Sequence, residues 1–314
     1  MLNAGELQQL REALPPFGDD AFPPAPLVAF CRAYHLDFSA HFPEAAYRGG
    51  YIDSGEHRLM LHRWLQPAAR GNLFLVHGYF DHSGLFDKLV AYGLSRGYNV
   101  LIFDLPGHGL SSGEPAAIDD FGEYALAIED ALAAGGLPAN LPLYAIGQST
   151  GCAALTEYAR RGSWPFAGVA YLAPLVRPAH WTLVRLGIFL MAPFTEGVAR
   201  KFNRNTSDGA FLEFVRSDPL QASQVSLRWL VALKRWLGGL SRKELGVGPL
   251  LLVQGRQDST VDWRYNVPFV LDLFAGSEVC YLPRAGHQLA NESADIREVY
   301  YAALDQWFQR RSLR

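Results

Sequence analysis

From residue 72 onward, short unbroken apolar runs alternate with longer stretches whose apolar residues recur every three or four positions. The runs at 72–76, 98–103, 141–146, 168–172, 249–254 and 278–282 read as buried strands. The stretches at 84–96, 119–134, 150–160, 264–274 and 294–311 read as amphipathic helices, with Asp119 or Asp120 placed to cap the second. Two earlier strands are predicted at 46–52 and 58–66. In the second, Leu59, Leu61 and Arg63 alternate with Met60, His62 and Trp64, and Ser54-Gly55-Glu56 between the strands suggests a hairpin. Strands alternating with helices predict an α/β chain: a mostly parallel sheet flanked by helices on both faces, with function collecting at the carboxyl ends of its strands.

Two segments break this rhythm. Residues 1–45 form an N-terminal extension. Leu7, Leu10 and Leu14 sit at helical spacing, which predicts a short surface helix, and the Pro- and aromatic-rich remainder predicts loops with one helix near 27–34. Residues 175–248 follow the sixth strand and separate 46–174 from 249–314. That is too long for a simple connection. It contains apolar helical stretches at 181–191 and 224–237 and carries 11 Lys and Arg against 5 Asp and Glu, a surplus of +6 in a chain of net charge −3. The expectation is a helical cap, or lid, over the strand ends. Its apolar underside would hold acyl chains, and its basic residues would either be solvated or make peripheral contact with anionic lipid surfaces.

Composition removes several classes of function. The small negative charge leaves no electrostatic footprint for nucleic acid. Cys31, Cys152 and Cys280 are scattered, which argues against a disulfide framework and for a reducing, cytoplasmic setting. The first residues lack the basic and apolar regions of a signal peptide. The longest apolar stretch, 181–194, is interrupted by Arg185 and too short to span a bilayer. Neither HExxH nor paired Cys/His spacing occurs, so neither metal nor cofactor is expected.

The chemistry centres on Gly147-Gln-Ser149-Thr-Gly151, where a strand runs into a helix. Gly-x-Ser-x-Gly alone is weak, since a chain of this length matches it by chance roughly one time in ten. A second match, Gly109-Leu-Ser111-Ser-Gly113, has no strand before it or helix after it and reads as a loop. Ser149 has both, the context of a nucleophile elbow. Serine needs a base, and the base needs an orienting acid. Asp258 lies just past the predicted strand 249–254, and His287 in Gly286-His-Gln-Leu lies just past 278–282. Asp262 competes for the acid but is expected to cap the following helix. Backbone N–H groups of Thr150 and of Tyr79, in the loop after 72–76, are the expected oxyanion donors. His77 and His108 read as structural, and His35, His41, His57 and His62 lie away from the strand ends.

The segments His77-Gly-Tyr-Phe-Asp-His82, Asp104-Leu-Pro-Gly-His-Gly-Leu-Ser-Ser-Gly113, Gly147-Gln-Ser-Thr-Gly151, Ser217-Asp-Pro-Leu220, Gly255-Arg-Gln-Asp258 and Gly286-His-Gln-Leu-Ala-Asn-Glu292 together resemble the α/β-hydrolase family. The resemblance extends from about residue 46 and is nearest to its monoacylglycerol lipase and lysophospholipase branch, also described as serine aminopeptidase-like. It implies an esterase that cleaves monoacyl lipids or medium-chain esters through an acyl-enzyme on Ser149. The same triad also serves amidases, peptidases and acyltransferases, and the fold also serves binding proteins without turnover. Gln148 and Thr150 stand where the branch usually has His and Met, and Tyr79 where it has a small residue. These departures bear on acyl-site length and leaving group.

Overall fold

A computed structural model describes residues 2–18, 22–192 and 194–312; parts of the predicted loop 15–45 and of the apolar stretch 181–194 lie outside them. The elements in chain order are α1 (Ala4–Ala13), α2 (Ala25–Ala33), β1 (Ala46–Ser54), β2 (His57–Leu65), β3 (Gly71–Val76), α3 (Asp87–Ser95), β4 (Tyr98–Phe103), α4 (Phe121–Ala134), β5 (Leu143–Gln148), α5 (Thr150–Arg160) and β6 (Gly168–Leu172). The segment after β6 holds α6 (Trp181–Met191), β7 (Gly197–Ala199), α7 (Gly209–Ser217), β8 (Gln224–Ser226) and α8 (Leu227–Gly239). The chain closes with β9 (Leu250–Gly255), α9 (Trp263–Leu273), β10 (Glu278–Leu282) and α10 (Ala294–Ser312).

Eight strands form one sheet in the order β1-β2-β4-β3-β5-β6-β9-β10. The β1–β2 hairpin and the β2–β4 pair are antiparallel, and every other pairing is parallel. The central strands are buried on both faces, which is why they read as unbroken apolar runs. Their alternation separates two cores. Leu73, Leu75, Val100 and Ile102 face α1, α2, α3 and α10. Phe74, Val76, Leu101 and Phe103 face α4, α5, α8 and α9.

β5 begins two residues later than the spacing predicts and runs into Gln148; Pro142, just ahead of it, has no N–H to give the ladder. Asp120, not Asp119, caps α4: its side chain accepts from the Gly122 N–H while Glu123 reaches back to the Asp120 N–H. The predicted helix 224–237 starts three residues late. Residues 224–226 pair with β7 instead, and Ser226 caps α8 by accepting from the Trp229 N–H.

The N-terminal segment is part of the folding unit. α1 turns Leu7 and Leu10 into the core, and α2 does the same with Leu27 and Phe30. Just after α1 the chain lies along β1, the outermost strand: the Tyr51 N–H donates to the Pro15 carbonyl and the Phe17 N–H to the Tyr51 carbonyl. Gly50 allows this approach, since a Cβ there would sit 2.7 Å from the Pro15 oxygen.

The segment between β6 and β9 is tied to the rest by charge as well as by α8 packing. Arg177 pairs with Asp262, Arg228 with Asp119 and Glu114, and Arg242 with Asp272. Thus part of its basic surplus is met by carboxylates elsewhere in the chain. α6 exposes Leu183, Leu186, Phe189 and Leu190, and Ile188 is its buried residue.

Candidate active site

β5 ends at Gln148 and α5 starts at Thr150, which leaves a single residue for the reversal. Ser149 makes it at φ 53° and ψ −109°, a strained conformation for a residue with a Cβ, costing on the order of 1–3 kcal/mol. The surroundings hold it there. Its N–H donates to the Leu172 carbonyl on β6, and its carbonyl accepts from the N–H groups of Cys152 and Leu175. A Cβ on Gly151 would lie 2.2 Å from the Val76 oxygen and 2.7 Å from that of His77, so α5 can approach the end of β3 only with glycine there.

His287 follows β10 and Asp258 follows β9, and the structure brings both to Ser149. The Ser149 hydroxyl donates to Nε2 of His287 at 2.9 Å, and Nδ1 of His287 donates to Oδ2 of Asp258 at 2.8 Å. A carboxylate only accepts, so Asp258 fixes the ring proton on Nδ1 and leaves Nε2 free to accept. Asp258 is itself fixed: Oδ1 accepts from the N–H groups of Thr260 and Val261, and Oδ2 from the Gln254 amide. Burial works against its charge, but His287 and these donors outweigh it and hold the carboxyl below its ordinary value. For His287, burial disfavours the imidazolium. The nearby Asp258 charge and hydrogen bond, with Asp81 behind, prevail and raise its pKa above the usual 6.5.

Tyr79 lies three residues past the end of β3, in the turn beside Ser149. A Cβ on Gly78 would be 3.3 Å from the Ser149 Cβ. Among the described residues, no backbone carbonyl takes the N–H of Tyr79 or of Thr150. The Tyr79 ring turns away, stacked on Trp229 at 3.9 Å with its hydroxyl donating to the Ala116 carbonyl.

The other residues weighed from sequence lie elsewhere. Ser111 donates to the Asp104 carbonyl and accepts from the Met60 N–H, a loop brace. His77 accepts from the Leu105 N–H, and burial lowers its pKa to about 3. His108 bonds the Pro106 carbonyl within its turn. Asp262 precedes α9 but makes no side-chain cap; instead it receives two donors from Arg177.

Several supporting residues carried no sequence signal of their own. Gln148 donates to the His287 carbonyl at 2.9 Å, so it ties the strand that leads into Ser149 to the histidine loop. The Asn205 carbonyl, from the segment after β7, accepts the N–H groups of both His287 and Gln288 at 2.9 Å. Asp81, buried, accepts from the Gln288 amide at 2.7 Å. A cavity of about 190 Å³ opens over Ser149 and His287, with Tyr79, Phe80, Asp81, Phe211, Leu212 and Val215 in its wall. Among the described residues no cluster of side chains suits a metal ion.

A family model described as serine aminopeptidase, S33 matches residues 67–294, well over half of the sequence. The chain belongs to this α/β-hydrolase family. The hydrolase is 26% identical to the monoglyceride lipase of Homo sapiens over 264 residues, 76% of this chain and 82% of that one. It is 25% identical to phospholipase YtpA of Bacillus subtilis over 199 residues, 60% of this chain and 76% of the relative. Its fold matches a soluble variant of monoglyceride lipase from Saccharomyces cerevisiae with a TM-score of 0.70 at 22% identity, covering 85% of this chain and 95% of that one.

Proposed function

We propose that this hydrolase cleaves carboxylic esters of monoacyl lipids or medium-chain acids, with Ser149 as nucleophile, His287 as base and Asp258 as the acid that orients it. The observation that carries the reading is the unbroken chain from the Ser149 hydroxyl through His287 to Asp258, on a serine held in a strained turn. Ser149 Oγ attacks the ester carbonyl carbon and its proton passes to His287 Nε2. The N–H groups of Thr150 and Tyr79 take the oxyanion. The C–O bond to the alcohol breaks as His287 returns the proton to the leaving oxygen. Water then attacks the acyl-enzyme, giving its proton to His287, and the acid leaves as Ser149 is restored. Asp258 keeps its charge throughout and favours the imidazolium that forms transiently.

The segment 175–248 acts in this reading as the cap that walls the acyl site. The apolar side chains on α6, with Phe194 beyond it, support peripheral contact with a lipid surface. Among the described residues no helix is long and apolar enough to cross a membrane. Three unpaired cysteines support a cytoplasmic setting.

The test is hydrolysis of p-nitrophenyl esters from acetate to palmitate by the wild type, Ser149→Ala and Ser111→Ala. Activity should vanish with Ser149→Ala alone, and the chain-length optimum sizes the acyl site. A folded wild type that cleaves the matching anilides but no ester would move the assignment to an amidase. Loss with Ser111→Ala and not Ser149→Ala would overturn the elbow assignment.

A further inference from the structure

We propose that the site selects esters carrying an anionic group, a phosphate or a carboxylate, within reach of the scissile carbonyl, and that Arg200 is the residue that reads it. The inference rests on the serine-hydrolase reading and narrows its substrate class.

The cavity over Ser149 and His287 is also lined by Arg200, Lys201 and Arg216, whereas Asp81 is the one carboxylate among its described lining residues. Asp81 is buried and already holds the Gln288 amide. Three cations against one engaged carboxylate make an attractive field for an anion and a poor match for a wholly neutral lipid.

Arg200 is the built member of this group. Its guanidinium lies 4.0 Å from the Phe80 ring centre and 4.4 Å from that of Phe202. Nη1 donates to the Gln221 side-chain oxygen at 2.7 Å and to the Ala222 carbonyl, and its backbone N–H donates to the Ser223 carbonyl. These partners are neutral. Among the described residues no carboxylate forms an ion pair with Arg200, and Nε and Nη2 have no acceptor. Two donors of a planar fork are therefore held for a two-point contact with a carboxylate or phosphate. The side chain is half-buried, and burial without a full counter-charge pulls its pKa down, the condition an anionic ligand would relieve.

The segment is also held in register with the chemistry. Five residues after Arg200, the Asn205 carbonyl accepts both N–H groups of the His287 loop. The stretch that carries the anion reader is thus hydrogen-bonded directly to the loop of the proposed base. The competing explanation, that Arg200 merely packs between two aromatic rings, predicts no dependence on substrate charge.

The experiment compares kcat/KM of the full chain for decanoyl esters of one acyl length: decanoylglycerol, decanoylglycerol phosphate and decanoyloxyacetate, with p-nitrophenyl decanoate as the neutral reference. The wild type should prefer the anionic esters, mainly through KM, and lose the preference as salt is raised. Arg200→Gln should cut the anionic-to-neutral ratio by roughly tenfold or more, and Arg200→Lys should restore part of it. Arg216→Gln, at an exposed position, should cut the ratio less. It keeps the test open if Arg200→Gln does not fold. Inorganic phosphate should compete with p-nitrophenyl decanoate. Preference for the phosphate alone identifies a headgroup reader, and equal preference for both anions identifies a general anion reader. A wild-type ratio near one, or a ratio unchanged in both variants, overturns the proposal while leaving the hydrolase reading intact. No turnover of any ester, the p-nitrophenyl reference included, would instead remove the reading beneath it.

Discussion

Asp218 joins three parts of the chain that are far apart in sequence. Its Oδ2 accepts from His82 Nε2 at 2.8 Å and from the Gln221 amide, and its Oδ1 accepts from the Tyr34 hydroxyl at 2.6 Å and the Leu220 N–H. The His82 and Asp218 side chains have no solvent exposure. Burial disfavours both charges, yet the pair prevails: the Asp218 carboxyl falls to about 2, and His82 rises above 6.5 with help from Asp104 and Asp81. For Asp218 a drop from 3.8 to about 2 corresponds to about 2–3 kcal/mol. Since this folded-state value is depressed, that stability is present above the unfolded pKa and lost as pH falls through about 2. The His82 contribution has the opposite sense, complete below 6.5 and lost as pH rises through its higher folded value. Asp218→Asn keeps the shape but removes the counter-charge of a buried imidazolium, so it should cost about 3–5 kcal/mol at neutral pH. His82→Gln alone should cost a similar amount. The double variant, which buries no unpaired charge, should cost well under the sum, with a coupling of about 1–3 kcal/mol. Urea midpoints at constant slope for the four proteins measure this cycle. Additive losses, or a cost for Asp218→Asn below about 0.5 kcal/mol, would refute the ion-pair account and leave only a packing role.

The pH dependence of ester hydrolysis should report His287. The base must be neutral, so kcat/KM rises with pH, and its acidic midpoint should lie above 6.5. Asp258→Asn should lower the remaining rate and move that midpoint down, because the largest opposition to burial is then gone and only the Asp81 charge remains against it; an unmoved midpoint would sink the assignment. Gly151→Ala should destabilise by about 3 kcal/mol or prevent folding, since its Cβ meets rigid backbone oxygens; a thermal melt within a few degrees of wild type contradicts this.

The parallel half of the fold was legible because its strands are buried on both faces and its helices on one, so each leaves a distinct period. The placement of Ser149 was legible because a tight strand-to-helix turn needs glycines at fixed positions, and the meeting of Asp258 and His287 with it because both follow strands. What stayed hidden depends on long-range contact. Nothing local marks Asn205 as the acceptor for the His287 loop or Gln148 as a strut to it, since both act across more than eighty residues of chain. The exposure of the α6 side chains is not legible either, because an apolar period gives a face but not its direction. The strand at 224–226 was lost in a helical pattern because its partner, 197–199, had no signal of its own. His82 and Asp218 each sit in a quoted motif, yet only the fold shows that they are one ion pair.

The residues ahead of the family match guard an open flank. β1 is the outermost strand of the sheet, and the chain around Pro15 to Phe17 occupies the hydrogen-bonding groups of Tyr51 that would otherwise face outward. A shortened protein cut to the span of the family match, residues 67–294, would lose β1, β2 and this cover together, and nearly all of α10. β4 would become a bare apolar edge, able to zip onto the same edge of a second molecule. The first sixty-six residues therefore cover an edge that trimming would leave open to pairing between copies.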